Sequence, residues 1–240
     1  MTQQSPSPTA KPSSSWIPVA LSAGFRPGSN IRVFADGNDI ALWSSFSGKL
    51  SAWVNRCPHR GMRLSHGFVR GEMLACIYHG WHFAQDANCK YIPAHPELVP
   101  GEMICAQAHH AHEQDGLLWV SCAEEEPDAP ARLPGFGVRS LLIDAPRPVL
   151  AGVLEVTHEA QGRWELTLAD QPVILGVQDW PEGRTGVHLL TKEAVSAETK
   201  KMLSRELEAM RRTCEAIAPV SASASASVPS GPSSRSGDAA

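Results

Sequence analysis

The sequence predicts a mainly β protein: an antiparallel β domain, then a smaller β region that ends in a helix, between disordered tails. Short runs of Val, Ile, Leu and Trp alternate with Gly, Pro, Asn and Asp over residues 16–123, which is typical of antiparallel sheets. Similar runs recur after an acidic segment at 124–130. Between residues 192 and 218 the apolar spacing changes to three and four, which indicates a helix.

Composition limits the class of protein. Hydrophobic residues make up 42% of the 240 residues and the formal net charge is -4, values of an ordinary globular protein with no preference for nucleic acid. No apolar run approaches the roughly 18 residues of a membrane-spanning helix. Residues 1–15 lack the apolar stretch of a secretory signal, so we expect a cytoplasmic protein without membrane or nucleic-acid partners.

Both ends of the chain are predicted to be disordered, over residues 1–15 and 219–240. The stretch 221–240 holds eight Ser and five Ala and has no aromatic residue. Such a composition cannot bury enough apolar surface to offset the entropy of ordering the chain.

The first domain, residues 16–123, is predicted from four strands and one tight turn. Asp36, Gly37 and Asn38 have the composition of a turn with positive φ, and this turn would join the first two strands in a hairpin. The predicted strands cover residues 31–34, 40–43, 50–54 and 117–121.

The second region, residues 124–218, begins with the acidic, Pro-bearing linker 124–130. Five strands are predicted in it, at 140–143, 149–156, 164–168, 173–177 and 187–190. The helix between 192 and 218 is expected to start at Thr191 as N-cap and to stop at Pro219. Its apolar stripe predicts a docking face, and exposure of Leu203, Leu207 and Met210 would support a homo- or hetero-oligomer.

Two short segments concentrate Cys and His. The first reads Cys57-Pro-His59 and the second Cys76-Ile-Tyr-His79, with 16 residues between His59 and Cys76. Two sulfurs and two nitrogens fit either a structural zinc ion or a [2Fe-2S] cluster with two Cys on one iron and two His on the other. Zinc ligands usually come in pairs of one residue type, so the mixed pairs favour the cluster.

The segments Cys57-Pro-His59-Arg-Gly and Cys76-Ile-Tyr-His79-Gly-Trp-His-Phe resemble the cluster loops of Rieske [2Fe-2S] proteins, especially Rieske non-heme iron oxygenases of the ring-hydroxylating and demethylating type. The resemblance covers residues 16–123 and implies one [2Fe-2S] cluster per chain. It places Cys57 and Cys76 on the inner iron and His59 and His79 on the outer one.

The same resemblance bears on neighbouring positions. Met62 and Tyr78 stand where the high-potential respiratory type carries an extra pair of cysteines, and Trp81 is expected to pack beside the cluster. The other cysteines show no ligand spacing and are expected to be buried, inert thiols; they are Cys89, Cys105, Cys122 and Cys214.

Rieske oxygenases also need a mononuclear iron held by two His and one carboxylate. After residue 112 the only histidines are His158 and His188, 30 residues apart, and no pairing with Asp144, Glu155, Asp170 or Asp179 reproduces the family's motif. We therefore expect a one-electron carrier within an oxygenase system, with a flavin or ferredoxin-type reductase as donor and an oxygenase partner as acceptor. The alternative is a truncated or atypical terminal oxygenase subunit with monooxygenase activity of its own.

Overall fold

A computed structural model describes residues 16–156 and 159–218. The two predicted disordered tails lie outside the described residues. The described residues contain two α-helices, α1 (Arg147–Val153) and α2 (Ala197–Ile217). The strands are β1 (Ile17–Leu21), β2 (Asn30–Ala35), β3 (Asn38–Ser44), β4 (Leu50–Val54), β5 (Phe68–Arg70), β6 (Met73–Ala75), β7 (His82–Phe83), β8 (Cys89–Tyr91), β9 (Ala108–Gln114), β10 (Leu117–Ser121), β11 (Phe136–Ile143), β12 (Arg163–Leu168), β13 (Gln171–Trp180) and β14 (Arg184–Thr191).

The strands form three antiparallel sheets, which confirms the predicted fold class. The first sheet has the order β1-β10-β9-β4-β3-β2, and a small one has the order β5-β6-β7-β8. The third has the order β11-β14-β13-β12. The small sheet is inserted in the chain between β4 and β9 of the first sheet. The first Cys/His segment lies in the connection from β4 to β5, and the second lies in the loop from β6 to β7.

The predicted hairpin is confirmed. Ala35 pairs with Asn38 across a two-residue turn, and Asp36 and Gly37 have φ of 48° and 74°. This turn matches the right-handed twist of the flanking strands because both central residues are in the left-handed region.

The predicted strand at 149–156 is wrong, because the chain forms α1 over Arg147–Val153. The valines of this stretch favour a strand, but a proline stands in the first helical turn, where its fixed φ suits a helix. Leu150 is fully buried in the apolar cluster that also holds the inner face of α2. Tertiary packing therefore outweighs the local preference.

The C-terminal helix forms, but it starts later than predicted. Thr191 ends β14, and the N-cap is Ser196, whose side chain accepts a hydrogen bond from the Thr199 N–H at 3.1 Å. Pro219, the predicted stop, lies outside the described residues. The stripe is buried within the chain, with Leu203 and Leu207 at 0% exposure, so it gives no support to an oligomer.

The first and third sheets share an apolar cluster of Trp16, Leu117, Trp119, Ile174 and Leu190. The predicted division between residues 123 and 124 stays a prediction, since the strands on either side belong to different sheets yet pack on one another. No helix in the described part of the chain is long and apolar enough to cross a membrane.

Candidate metal centre

The two Cys/His segments fold into loops with the same backbone hydrogen bonds. In the first, the Cys57 N–H donates to the Met62 carbonyl and the Gly61 N–H donates to the Cys57 carbonyl, both at 2.8 Å. In the second, the Cys76 N–H donates to the Trp81 carbonyl and the Gly80 N–H to the Cys76 carbonyl, both at 2.9 Å. Each cysteine therefore begins a tight turn of the same kind.

Glycine suits the backbone conformation of both turns. Gly61 has φ of 73° and Gly80 has φ of 69°, a region that side-chain-bearing residues adopt at a cost. A Cβ on Gly80 would also lie 2.9 Å from Cγ of Pro93. The backbone of the second loop is therefore held close against the segment that follows β8.

The two thiols lie together in the protein interior. Cys57 and Cys76 are each 3% exposed and belong to one apolar cluster. Burial, and next the proximity of Cys76, raise the pKa of Cys57 to about 11, while the backbone N–H groups of His59 and Arg60 point at its sulfur and oppose the rise. Neither cysteine forms a disulfide.

The two imidazoles lie on the outer side. The ring centroids of His59 and His79 are 4.6 Å apart, with His79 exposed and His59 half-buried. Trp81 stacks on His59 with centroids 4.1 Å apart and planes within 6° of parallel. Desolvation, followed by the charges of His79 and Arg60, lowers the pKa of His59.

This donor set fits a [2Fe-2S] cluster. The buried Cys57 thiol, whose ionisation is opposed by burial, needs a cation beside it to become a thiolate, and iron would supply that charge. N–H groups aimed at the Cys57 sulfur are the donors that lower the charge density of a thiolate ligand. Within residues 16–156 and 159–218, no three His, Cys, Asp or Glu side chains are placed to hold a single metal ion, whereas two sulfurs inside and two nitrogens outside suit a two-iron unit.

The structure brings Cys57 close to Cys76 and His59 close to His79, and it places Trp81 in contact with His59. Sequence reasoning missed the contact of the Tyr78 ring with His79, whose centroids are 3.9 Å apart. Only its position next to His79 could have indicated this contact. The role of Pro93 was also missed, because it lies 13 residues beyond Gly80 and has no motif of its own.

The predicted burial of the remaining cysteines is confirmed for two of the four. Cys89 and Cys214 are buried and Cys122 is half-buried, but Cys105 is exposed. Burial raises the pKa of Cys122 to about 11, with a further contribution from Asp36. Cys105 forms only an isolated bridge with Asn88, outside the strands of the small sheet, and this position leaves its side chain at the surface.

His188 is a core residue of the third sheet. Its Nδ1 lies 2.8 Å from Oγ of Ser140 and its Nε2 lies 3.2 Å from Nε2 of Gln178. Burial lowers the pKa of His188 to about 4. Both ring nitrogens thus face protein groups, and His158, the other histidine of this region, lies outside the described residues.

Comparison with known proteins agrees with the geometry. Residues 15–107 match the family described as the Rieske [2Fe-2S] domain. The oxidoreductase NdmD of Pseudomonas putida is 32% identical over 110 residues, which are 45% of this chain and 19% of that protein. The 4beta-methylsterol monooxygenase of Methylococcus capsulatus is 38% identical over 109 residues, 44% of this chain and 29% of that protein.

Solved structures show the likeness in fold beyond the matched domain. NdmA of Pseudomonas putida CBB5, as the QL mutant with theobromine, superposes with a TM-score of 0.63 at 16% identity, over 88% of this chain and 83% of that chain. Apo dicamba monooxygenase gives a TM-score of 0.64 at 15% identity, over 85% of this chain and 86% of that one.

The family match and the paired loops together identify residues 15–107 as a Rieske [2Fe-2S] domain. Its cofactor is a [2Fe-2S] cluster. In these matches the chain spans less than a third of the length of the curated relatives.

Proposed function

We propose that Cys57, Cys76, His59 and His79 hold the cluster and that the chain carries one electron at a time within an oxygenase system. The donor is a flavin or ferredoxin-type reductase and the acceptor is an oxygenase partner. One observation carries the proposal: the two sulfurs are buried while the two imidazoles reach the surface side by side. A centre held in this way has one edge through which electrons can enter and leave.

The surrounding residues stabilise and orient the ligands at this edge. The N–H groups of His59 and Arg60 stabilise the negative charge of the Cys57 sulfur. Trp81 fixes the orientation of the His59 ring by stacking on it. Bound there, the cluster supplies a one-electron couple, and imidazoles in place of two thiolates raise its potential above that of an all-cysteine cluster.

The relatives support the oxygenase context. NdmD is named an oxidoreductase and the Methylococcus protein a 4beta-methylsterol monooxygenase. The likeness to NdmA and dicamba monooxygenase covers 88% and 85% of this chain and so extends well beyond the 93 residues, 15–107, of the family match. We also propose a cytoplasmic location, in keeping with the six described cysteines, none of which forms a disulfide, because thiols persist in a reducing compartment.

Metal analysis tests the ligand assignment. Protein purified without oxygen is expected to contain about two irons and two sulfides per chain. His79→Cys is expected to retain a cluster and lower its midpoint potential by on the order of 100 mV, because a thiolate adds negative charge. The matched control, His66→Asn, changes an exposed histidine between the two cluster loops and should leave the potential unchanged. A colourless zinc protein, or an unaltered potential in His79→Cys, would refute the assignment.

A reductive titration tests the carrier role. A lone cluster takes up one electron per chain, and the electron should return in full to a one-electron oxidant such as ferricyanide. Uptake of two electrons, or product formed from an aromatic or N-methyl substrate by reduced protein alone, would contradict a simple carrier and indicate an oxygenase subunit.

A further inference from the structure

The surface around the two imidazoles carries positive charge on a chain that is acidic overall. Residues 55–83 contain four Arg and one Glu, whereas the whole chain has a formal net charge of -4. Three of these arginines flank the first cluster loop, and their side chains are exposed. We call this set, Arg56, Arg60 and Arg63, the basic face.

Little of this charge is neutralised within the chain. The Asp39 carboxylate receives two hydrogen bonds of 2.8 Å from Arg32 and stands 3.6 Å from Arg63. In the described part of the chain, Arg56 and Arg60 have no carboxylate within ion-pair distance. The one acid of residues 55–83, Glu72, is bound by the backbone N–H and hydroxyl of Ser47 at 3.0 and 2.6 Å.

The basic face includes residues of the loop that carries His59. Arg60 is next to His59 in the chain, within the first cluster loop. The Arg56 guanidinium lies beside Gly61, since a Cβ at that glycine would be 3.2 Å from Nε of Arg56. A charged partner at these arginines would therefore contact the same loop that carries His59.

The surface beside His79 is apolar. Ile77 is 49% exposed and Tyr78 is 54% exposed, and the Tyr78 ring touches His79. Exposed aromatic and aliphatic groups beside a charged rim are typical of protein-protein contacts in which charge orients the partner and apolar groups complete the interface.

We propose that the basic face and the adjoining Ile77 and Tyr78 dock the protein electron donor, and that this donor presents carboxylates around its own redox centre. The inference rests on the proposed function and names the partner's chemistry. Opposite charge speeds the encounter by steering, and a small, weak interface lets the donor leave after transfer. One electron passes from the reduced donor to the oxidised cluster, so the donor is oxidised as the cluster is reduced.

Rapid mixing tests the proposal. The probe is an acidic plant-type [2Fe-2S] ferredoxin, chemically reduced, and the readout is the second-order rate of cluster reduction in the full chain. Between 20 and 300 mM NaCl the rate should fall about tenfold, because salt screens the attraction. At 20 mM NaCl the double variant Arg56→Gln/Arg60→Gln should be roughly tenfold slower and nearly insensitive to salt. Arg205→Gln, at an exposed arginine of α2, should stay within about twofold of the parent rate.

A neutral reductant, photochemically generated deazaflavin radical, distinguishes failure of the docking proposal from failure of the proposed function. If it fails to reduce the parent protein, the proposed function fails. If it reduces parent and variants equally while the ferredoxin rate shows no dependence on salt or on the arginines, the docking proposal alone is overturned. A double variant that the ferredoxin reduces at the parent rate would likewise overturn the proposal even if salt slows both proteins, because the attraction would then arise elsewhere on the surface.

Discussion

The indole of Trp81 lies flat on the imidazole of His59, with ring centroids 4.1 Å apart and an interplanar angle of 6°. Trp81 also packs on the apolar cluster that contains both cysteines. One side chain thus connects the surface histidine to the buried sulfurs, and its loss should loosen the outer side of the site first.

Trp81→Leu is expected to speed the loss of the cluster, because His59 loses its stacking partner. An aromatic contact of this kind contributes about 0.5–1.5 kcal/mol, so the rate of bleaching in a chelator should rise severalfold. Trp81→Phe, which keeps a ring in place, is the matched control and should bleach at a rate between those of the parent and Trp81→Leu. Equal bleaching rates in all three proteins would show that the stacking has no role in retention.

Gly80→Ala should destabilise the second cluster loop for two reasons, its φ of 69° and the approach of the new Cβ to Pro93 at 2.9 Å. Gly71→Ala is the control, since Gly71 has φ of 61° but no atom within 4 Å of the added Cβ. We expect a loss of about 1 kcal/mol for Gly71→Ala and about 2–3 kcal/mol for Gly80→Ala in urea unfolding. Equal losses would mean that Pro93 moves aside without cost.

Acid should weaken the folded state through His188. Burial lowers its pKa from 6.5 to about 4, so the unfolded chain binds a proton between these values and the folded chain does not. The free energy of unfolding therefore falls as the pH drops from 6.5 to 4, by on the order of 3 kcal/mol.

Urea unfolding of the parent and of His188→Gln at pH 7.5, 6, 5 and 4.5 measures this contribution. The variant should lose stability at every pH yet show a smaller decline toward acid. The carboxyls that titrate in the same range are common to both proteins, so identical pH slopes would exclude His188 as the source.

Leu207→Ala should cost about 2–5 kcal/mol, because Leu207 is 0% exposed in the cluster between α2 and the third sheet. Ile217→Ala, at a position of the same helix that is 59% exposed, should cost less than about 1 kcal/mol. Calorimetry of both variants is the check. A small effect at Leu207 would mean that the helix packs less tightly against the sheet than the structure shows.

The parts of the fold that depend on local chemistry can be predicted from the sequence. The turn at Asp36 and Gly37 requires positive φ, and the two Cys/His segments repeat one pattern of ligand types, so a few neighbouring residues are enough to identify each. The helix at Arg147–Val153 is different, because its valines favour a strand, whereas the proline in its first turn and packing in the apolar cluster shared with α2 favour the helix. The N-cap predicted at Thr191 is wrong for a related reason: β14 takes Thr191 as its final residue through pairing with Phe136, a distant contact.

The matching hydrogen bonds of the two cluster loops have a consequence for the shape of the site. Cys57 and Cys76 occupy equivalent places in two copies of one turn, but the imidazoles do not: His59 is the third residue of its turn and His79 the fourth of the other. Arg60 therefore stands at the counterpart of His79, and Tyr78 at the counterpart of His59. The two turns therefore match at the cysteines and differ at the next positions, where one imidazole has an arginine beside it in the chain and the other a tyrosine. This chemical asymmetry favours one orientation of a docked partner over the opposite one.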